Sequence, residues 1–252
     1  MIPYKMKIKS FLMLLICGVS SLLLFSISSS EKPIKIKPYK SFFSEVKEPS
    51  DICINPNNYN FFIVSDNGFL YEIDSLGKIL READFEGFDC EGVYADEKFV
   101  YVVEEMVRKI RVFDIPTLTL QRTVVLPYQG GRNKAYESIT FNKSKGHMII
   151  ITEKDPIYLY ELDENLNFYN EVHLGEIARD ISATTYHEGR LFLLSDEDRE
   201  IIEVDPTTYS VVKRWKLPII NPEGMVFTKK GELIILSDDM EKFFFFDPKA
   251  LN

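Results

Sequence analysis

Histidine and cysteine are both scarce, at three residues each in a chain of 252. No CxxC pair and no Cys/His cluster at zinc spacing occurs, which excludes a structural zinc site of the common kinds. His147, His173 and His187 stand apart from one another, and no GxSxG elbow, HExxH helix or P-loop is present. The familiar signatures of serine hydrolases, zinc proteases and nucleotide hydrolases are therefore missing. Positive charge is also short, with 30 basic residues against 39 acidic ones. Nucleic acid is excluded as the main partner, because binding phosphates needs a net basic face. Helical periodicity is lacking too: no segment carries apolar residues at i, i+3 and i+4 over a dozen positions. Cys17 falls in an apolar N-terminal run, which leaves Cys53 and Cys90 in the body. A disulfide between them and two buried thiols both fit the sequence.

The N-terminus has the pattern of an export signal. Lys5, Lys7 and Lys9 precede an uncharged apolar run at residues 11–25, followed by a serine-rich stretch at 26–30. Cleavage near Ser28 or Ser30 is one outcome. Retention as a membrane anchor is the other, since residues 11–27 approach the shortest spanning lengths. The bulky Ile16 before Cys17 argues against a lipid-modified cysteine. Residues 1–30 are thus a signal peptide or anchor and residues 31–252 the folded domain. The expected location is the periplasm or cell envelope, with membrane contact only through the N-terminal segment if it is kept.

What the body has in abundance is a repeat. Five segments run from an apolar stretch through an acidic turn to a second apolar stretch closing on Asp: FFIVSD to LYEID, VYVVEE to IRVFD, MIIITEKD to IYLYELD, RLFLLSDED to EIIEVD, and ELIILSDD to FFFFD. The closing residues are Asp74, Asp114, Asp163, Asp205 and Asp247, at spacings of 40, 49, 42 and 42. The long step falls at residues 128–134, where Gly130 and Gly131 mark an inserted loop; with Arg132 and Lys134 it reads as an ordinary loop or the border of an anion site. Each unit opens on a short head: EPSDICI, DCEGVYA, YESITFN, DISATTY and PEGMVFT. A further strand-like stretch follows four of the closing aspartates, at 78–85, 120–126, 168–174 and 211–217. Four β-rich runs per unit of about 42 residues is the arithmetic of a propeller blade. The fifth unit lacks its outermost strand, and residues 37–43 are a spare strand ahead of the first head. The fold class is therefore all-β: a five-bladed β-propeller of four-stranded blades, the last closed by an N-terminal strand.

In a propeller the heads enter the innermost strands around one axial channel. Aligned on the small residue of each head, the preceding positions hold Ser50, Glu91, Glu137, Ile181 and Glu223, with Asp51 and Asp180 one residue out of register. Carboxylates converging on a narrow channel repel unless a cation or protons compensate. Hard oxygen ligands in irregular number favour calcium, so Glu91, Glu137, Glu223, Asp180 and Asp51 are the candidate metal ligands. The competing reading has the glutamates bonding loop amides of a neighbouring blade. A second acidic set, Asp66, Glu105, Glu153, Asp196 and Asp238, follows the second strand of each unit and reads as turn-capping residues. The closing aspartates read as turn residues as well.

EPSDI at 48–52, DCEGV at 89–93, YESI at 136–139, TEKDPIYLYEL at 152–162, DISA at 180–183, LLSDE at 193–197 and PEGM at 222–225 together resemble the SdiA-regulated family of bacterial envelope proteins. That resemblance implies a five-bladed propeller with a bound calcium, distantly similar to NHL-repeat propellers, some of which are metal-dependent enzymes. The chain departs from the family pattern at Asp51 and Ala183, where Gly is usual, and at Cys90, where Pro is frequent. The function expected is a calcium-associated binding or scaffold module, with a metal ion and a small-molecule or protein ligand at the channel mouth. The alternative is a metal-dependent hydrolase of lactonase or phosphoester type, its channel cation polarising a carbonyl or phosphoryl oxygen.

Overall fold

The computed structural model describes residues 32–127 and 136–251. The N-terminal run read as a signal or anchor, Cys17 and the inserted loop at 128–134 lie outside the described residues, and the β-sheet unit spans Pro33–Asn252. Among the described residues there is no helix, and so none long and apolar enough to cross a membrane.

Two short strands come first, β1 (Ile34–Lys35) and β2 (Lys40–Phe43). The first blade is β3 (Pro49–Ile54), β4 (Phe61–Ser65), β5 (Leu70–Ile73) and β6 (Ile79–Glu82). The second is β7 (Cys90–Ala95), β8 (Phe99–Glu104), β9 (Lys109–Asp114) and β10 (Leu120–Val125). The third is β11 (Tyr136–Asn142), β12 (His147–Thr152), β13 (Ile157–Leu162) and β14 (Phe168–Gly175). The fourth is β15 (Ala183–His187), β16 (Arg190–Ser195), β17 (Glu200–Val204) and β18 (Val211–Lys216). The last supplies only β19 (Pro222–Phe227), β20 (Leu233–Ser237) and β21 (Lys242–Phe246). Each blade is an antiparallel meander, and β2 completes the fifth in the order β19-β20-β21-β2.

The closure is the one the strand count predicts. β2 pairs antiparallel with β21 from Lys40 opposite Phe245 to Phe43 opposite Lys242. Phe42 packs on the rings of Phe243 and Phe245, with centroids 5.2 and 5.1 Å away. β1 is an addition that strand counting misses: it lies parallel to β18 at the outer edge of the fourth blade, with Ile34 opposite Trp215. Two residues are too short a run to register as a strand, yet the pairing brings Ile36 into the core beside Trp215.

The core is a set of layers between neighbouring blades, built from β-branched and aromatic side chains on the facing sheets. Phe62, Val64 and Leu70 of the first blade meet Val93, Val100 and Phe113 of the second. Ile52 and Ile63 meet Val226, Leu236 and Phe243 across the seam between blades one and five. The middle strands β4, β12, β16 and β20 are buried on both faces, which is why they read as unbroken apolar runs. Turn chemistry supplies the punctuation. Asp74 accepts hydrogen bonds from the amides of Leu76 and Lys78, Asp163 from those of Asn165 and Asn167, and Asp205 from those of Thr207 and Thr208. Cys53 and Cys90 are both free thiols in the same inter-blade layer, so no disulfide links them.

Candidate metal centre at one end of the channel

The innermost strands begin with a shared irregularity. Cross-strand pairing slips by one residue between Pro49 and Asp51, Cys90 and Gly92, Tyr136 and Ser138, and Pro222 and Gly224. The residue left over at each β-bulge is Ser50, Glu91, Glu137 or Glu223. A bulge re-aims the extra side chain and commonly marks a functional edge of a sheet. Just ahead of three of these bulges the backbone is left-handed, with φ of 46° at Glu48, 60° at Asp89 and 42° at Asn221. That conformation is unfavourable for residues other than glycine. It turns each chain sharply into its innermost strand.

The same registers correct the alignment of the fourth blade. Val64, Val103, Ile151 and Leu236 face Asp51, Gly92, Ser138 and Gly224, and Leu194 faces Ala183. Ser182, not Ile181, is therefore the counterpart of the three glutamates. Ile181 is fully buried in the apolar layer between blades three and four. Taking Ser182 as the small residue of the head, rather than Ala183, shifted this blade by one position.

Glu91, Glu137 and Glu223 face the same end of the channel and act on one another. Burial raises Glu91 well above the ordinary carboxylate range, followed by the charges of Asp66, Glu105, Asp89 and Glu223. Burial likewise raises Glu137, followed by Glu91, Glu105, Glu153 and Glu223. Glu223 is raised by burial, then by Asp196, Asp238, Asp180 and Asp66. These neighbours are mostly the second acidic set. Antiparallel pairing places the residue after each second strand beside the head of the same blade, so Asp66, Glu105, Glu153, Asp196 and Asp238 gather at the same channel end as the bulged glutamates. Burial, with Asp89 and then Glu153 and Asp66, pushes Glu105 up to about 8. Asp196 and Asp238 are each pushed up to about 6, burial first, then Asp180 for the one and Asp66 for the other.

Two sets of three carboxylates can each share one ion. Oxygens of Glu105, Glu137 and Glu153 lie within 4.8 Å of one another, as do those of Asp89, Glu91 and Glu105. Glu105 belongs to both. Oε2 of Glu137 is buried with no hydrogen-bond partner. Lys154 borders this group, its Nζ 2.5 Å from Glu153 Oε1 and 3.4 Å from Glu197 Oε1.

The two aspartates proposed beside the glutamates are engaged elsewhere. Asp51 is buried; Oδ1 accepts from the amide of Ile52 at 2.8 Å and Oδ2 from that of Val93 at 2.9 Å, and the carboxylate also accepts from the amide of Met225. It ties the innermost strand of the first blade to those of the second and fifth. The matching position in the second blade is Gly92, where a Cβ would come within 2.9 Å of Glu137 O, so a side chain is barred at that position. Ser138 and Ser182 make similar ties, accepting from the amide of Thr184 and donating to the carbonyl of Pro222, each at 2.8 Å. Asp180 caps the turn after β16, taking the hydroxyl of Ser195 at 2.5 Å and the amides of Glu197 and Asp196 at 3.1 and 3.2 Å. The structure thus brings together Glu91, Glu137 and Glu223, sets Asp51 and Asp180 to bonding the backbone, and adds Asp89, Glu105 and Glu153.

Among proteins of curated function, none is significantly similar to this chain in sequence. The fold is similar to that of glutaminyl cyclase from Myxococcus xanthus, with a TM-score of 0.67 at 13% identity over 86% of this chain and 98% of that one. It is also similar to the β-propeller domain of Cps50 (Swd1) from Myceliophteria thermophila, with a TM-score of 0.53 at 10% identity over 84% of this chain and 100% of that one. A sequence profile of the SdiA-regulated family matches residues 27–247, and the chain belongs to that family.

Proposed function

We propose that the chain is a calcium-associated propeller of the cell envelope that works as a binding or scaffold module. The ion is held by Glu105, Glu137 and Glu153, with Glu91 and Asp89 completing the acidic wall. The observation that carries this reading is the approach of three carboxylates to within 4.8 Å while Glu137 Oε2 is buried and unbonded. Carboxylates so placed need protons or a cation between them. An all-oxygen donor set of irregular shape suits calcium better than a soft metal. Bound there, the ion supplies positive charge that lets the heads of blades two and three ionise side by side. The export-like N-terminal segment supports the envelope location.

The hydrolase alternative needs an open coordination position facing a substrate cavity. A large cavity runs from Ile52, Val93 and Met225 to Ile54, Ala95 and Phe227 along the innermost strands, and Glu91, Glu137 and Glu223 do not line it. The geometry therefore favours binding over catalysis. Calorimetric titration of chelator-treated protein with calcium chloride tests the reading. It should show one site with a dissociation constant on the order of 10⁻⁴ M or tighter, lost in the Glu105→Gln, Glu137→Gln double variant. Absence of binding heat up to 10-fold above that concentration, with the protein folded, would refute it.

A further inference from the structure

At the far end of the innermost strands the channel opens into a cavity of about 1220 Å³. Pockets of ~300–1,000 Å³ accommodate small organic ligands. The cavity begins at Ile52, Val93 and Met225, two residues along the innermost strands from Ser50, Glu91 and Glu223, about 7 Å, and extends to Ile54, Ala95 and Phe227.

Two aromatic walls face this space. Tyr94 on β7 lies nearly parallel to Phe141 on β11, with centroids 6.4 Å apart at 19°, and Tyr101 on β8 stands 6.0 Å from Tyr94. Across the opening, His187 on β15 stacks on Phe227 on β19 at 4.2 Å and 4°. All five rings line the cavity and are only half-buried. Burial holds His187 below its ordinary value, so it presents a neutral ring at pH 7.

Charge at the rim is unequally employed. Asp96 accepts from the amides of Lys98 and Phe99 and from the hydroxyl of Tyr101, and Asp163 is taken up by its own turn. The exposed side chains of Lys98, Arg122 and Lys143 also border the cavity, and none of them forms an ion pair among the described residues. Lys229 sits over the ring of Tyr59 at 4.1 Å, with its Nζ bonded to the phenol oxygen. Asp96 and Asp163 serve the fold, Glu97 and Glu164 are further exposed acids on this rim, and three of the cations form no ion pair among the described residues.

We propose that this cavity binds a small organic anion with a flat apolar body, its ring received between the Tyr94–Phe141 and His187–Phe227 walls and its anionic group directed to Lys98, Arg122 and Lys143. Flat rings gain from stacking on partly exposed aromatic faces, and a guanidinium or ammonium at the rim selects the sign of the substituent. The site requires no metal, so it stands or falls apart from the calcium reading.

Equilibrium titration with three matched probes tests it: 2-naphthoate, 2-naphthalenemethanol and 2-naphthylmethylammonium, each with calcium and with chelator. The carboxylate should bind at one site at least tenfold more tightly than the ammonium, with the alcohol between them and no effect of chelator. The Lys98→Ala, Arg122→Ala, Lys143→Ala triple variant alters only exposed side chains. It should keep its melting temperature and lose the preference for the carboxylate, while Tyr94→Leu should weaken all three probes. Equal affinities for the three probes, a charge preference that survives the triple variant, or no binding of the carboxylate at millimolar concentration would overturn the proposal.

Discussion

Ring closure by β2 can be tested by shortening the chain from its N-terminus in three steps. Removal of residues 1–30 leaves β1, β2 and everything after them. Removal of residues 1–37 deletes β1 and Ile36, which is 8% exposed in the layer beside Trp215. Burying an aliphatic side chain of that size contributes ~1.5–3 kcal/mol. Removal of residues 1–46 also strips Phe42 from the rings of Phe243 and Phe245 and takes Val46, 1% exposed, out of the seam between blades one and five. Phe42 is half-buried, so its loss costs about 2 kcal/mol, and Val46 adds about as much. The backbone of β21 loses its outer partner as well, and the bonds from the amides of Tyr39 and Ser44 to the carbonyls of Phe245 and Glu241 disappear. The combined loss of roughly 6 kcal/mol or more is comparable with the whole stability of a small domain. It also bares a phenylalanine-rich strand edge prone to pairing with other chains. Thermal and urea unfolding of the three truncated chains provides the assay. The first should unfold cooperatively, the second with a lower midpoint, and the third should be insoluble or lack a cooperative transition. A third chain melting within a few degrees of the first would refute the closure reasoning.

Titration of the acidic heads gives a second prediction. Glu105 is pushed up to about 8 and Asp196 and Asp238 to about 6, all above their unfolded values. Such groups stabilise the metal-free fold fully below about pH 4, and that stability is lost as pH rises through 6 and then 8. Urea midpoints with chelator should fall from pH 5 to pH 8.5, and calcium should flatten the decline; a chelated protein that grows more stable over this range would contradict it. Glu105→Gln should weaken calcium binding at least tenfold, because both carboxylate groups share this residue, while Asp180→Asn should change it less than threefold; calorimetry of the two variants checks the order. Asp51→Asn should cost about 2 kcal/mol in urea unfolding, since an amide nitrogen would face a backbone donor, and should leave the calcium response unaltered.

The blades were legible because each repeats one strand grammar, and a missing strand in the fifth unit matched a spare one before the first. Glu91, Glu137 and Glu223 were legible because they sit at one place in that grammar. Glu105 and Glu153 read as turn residues in the sequence, since a local reading finds an acid after a strand and looks for the nearest amides. Their place beside Glu91 and Glu137 depends on antiparallel pairing, which sets the end of β8 beside the start of β7 and the end of β12 beside the start of β11. That pairing was implied by the fold already inferred, so the signal was present. The bulges were not legible, because a one-residue slip leaves no mark in composition. Nor was the employment of Asp51, two of whose three amide partners, Val93 and Met225, come from strands far away in sequence.

The central claim is that a hard divalent cation occupies the acidic end of the channel. Crystals grown with calcium, and a second set soaked in manganese, can be compared in anomalous difference maps. The account predicts one peak in each, bounded by Glu105, Glu137 and Glu153, with oxygen distances of about 2.3–2.6 Å for calcium. Maps without a peak there, showing these carboxylates hydrogen-bonded to one another or to loop amides, would contradict it.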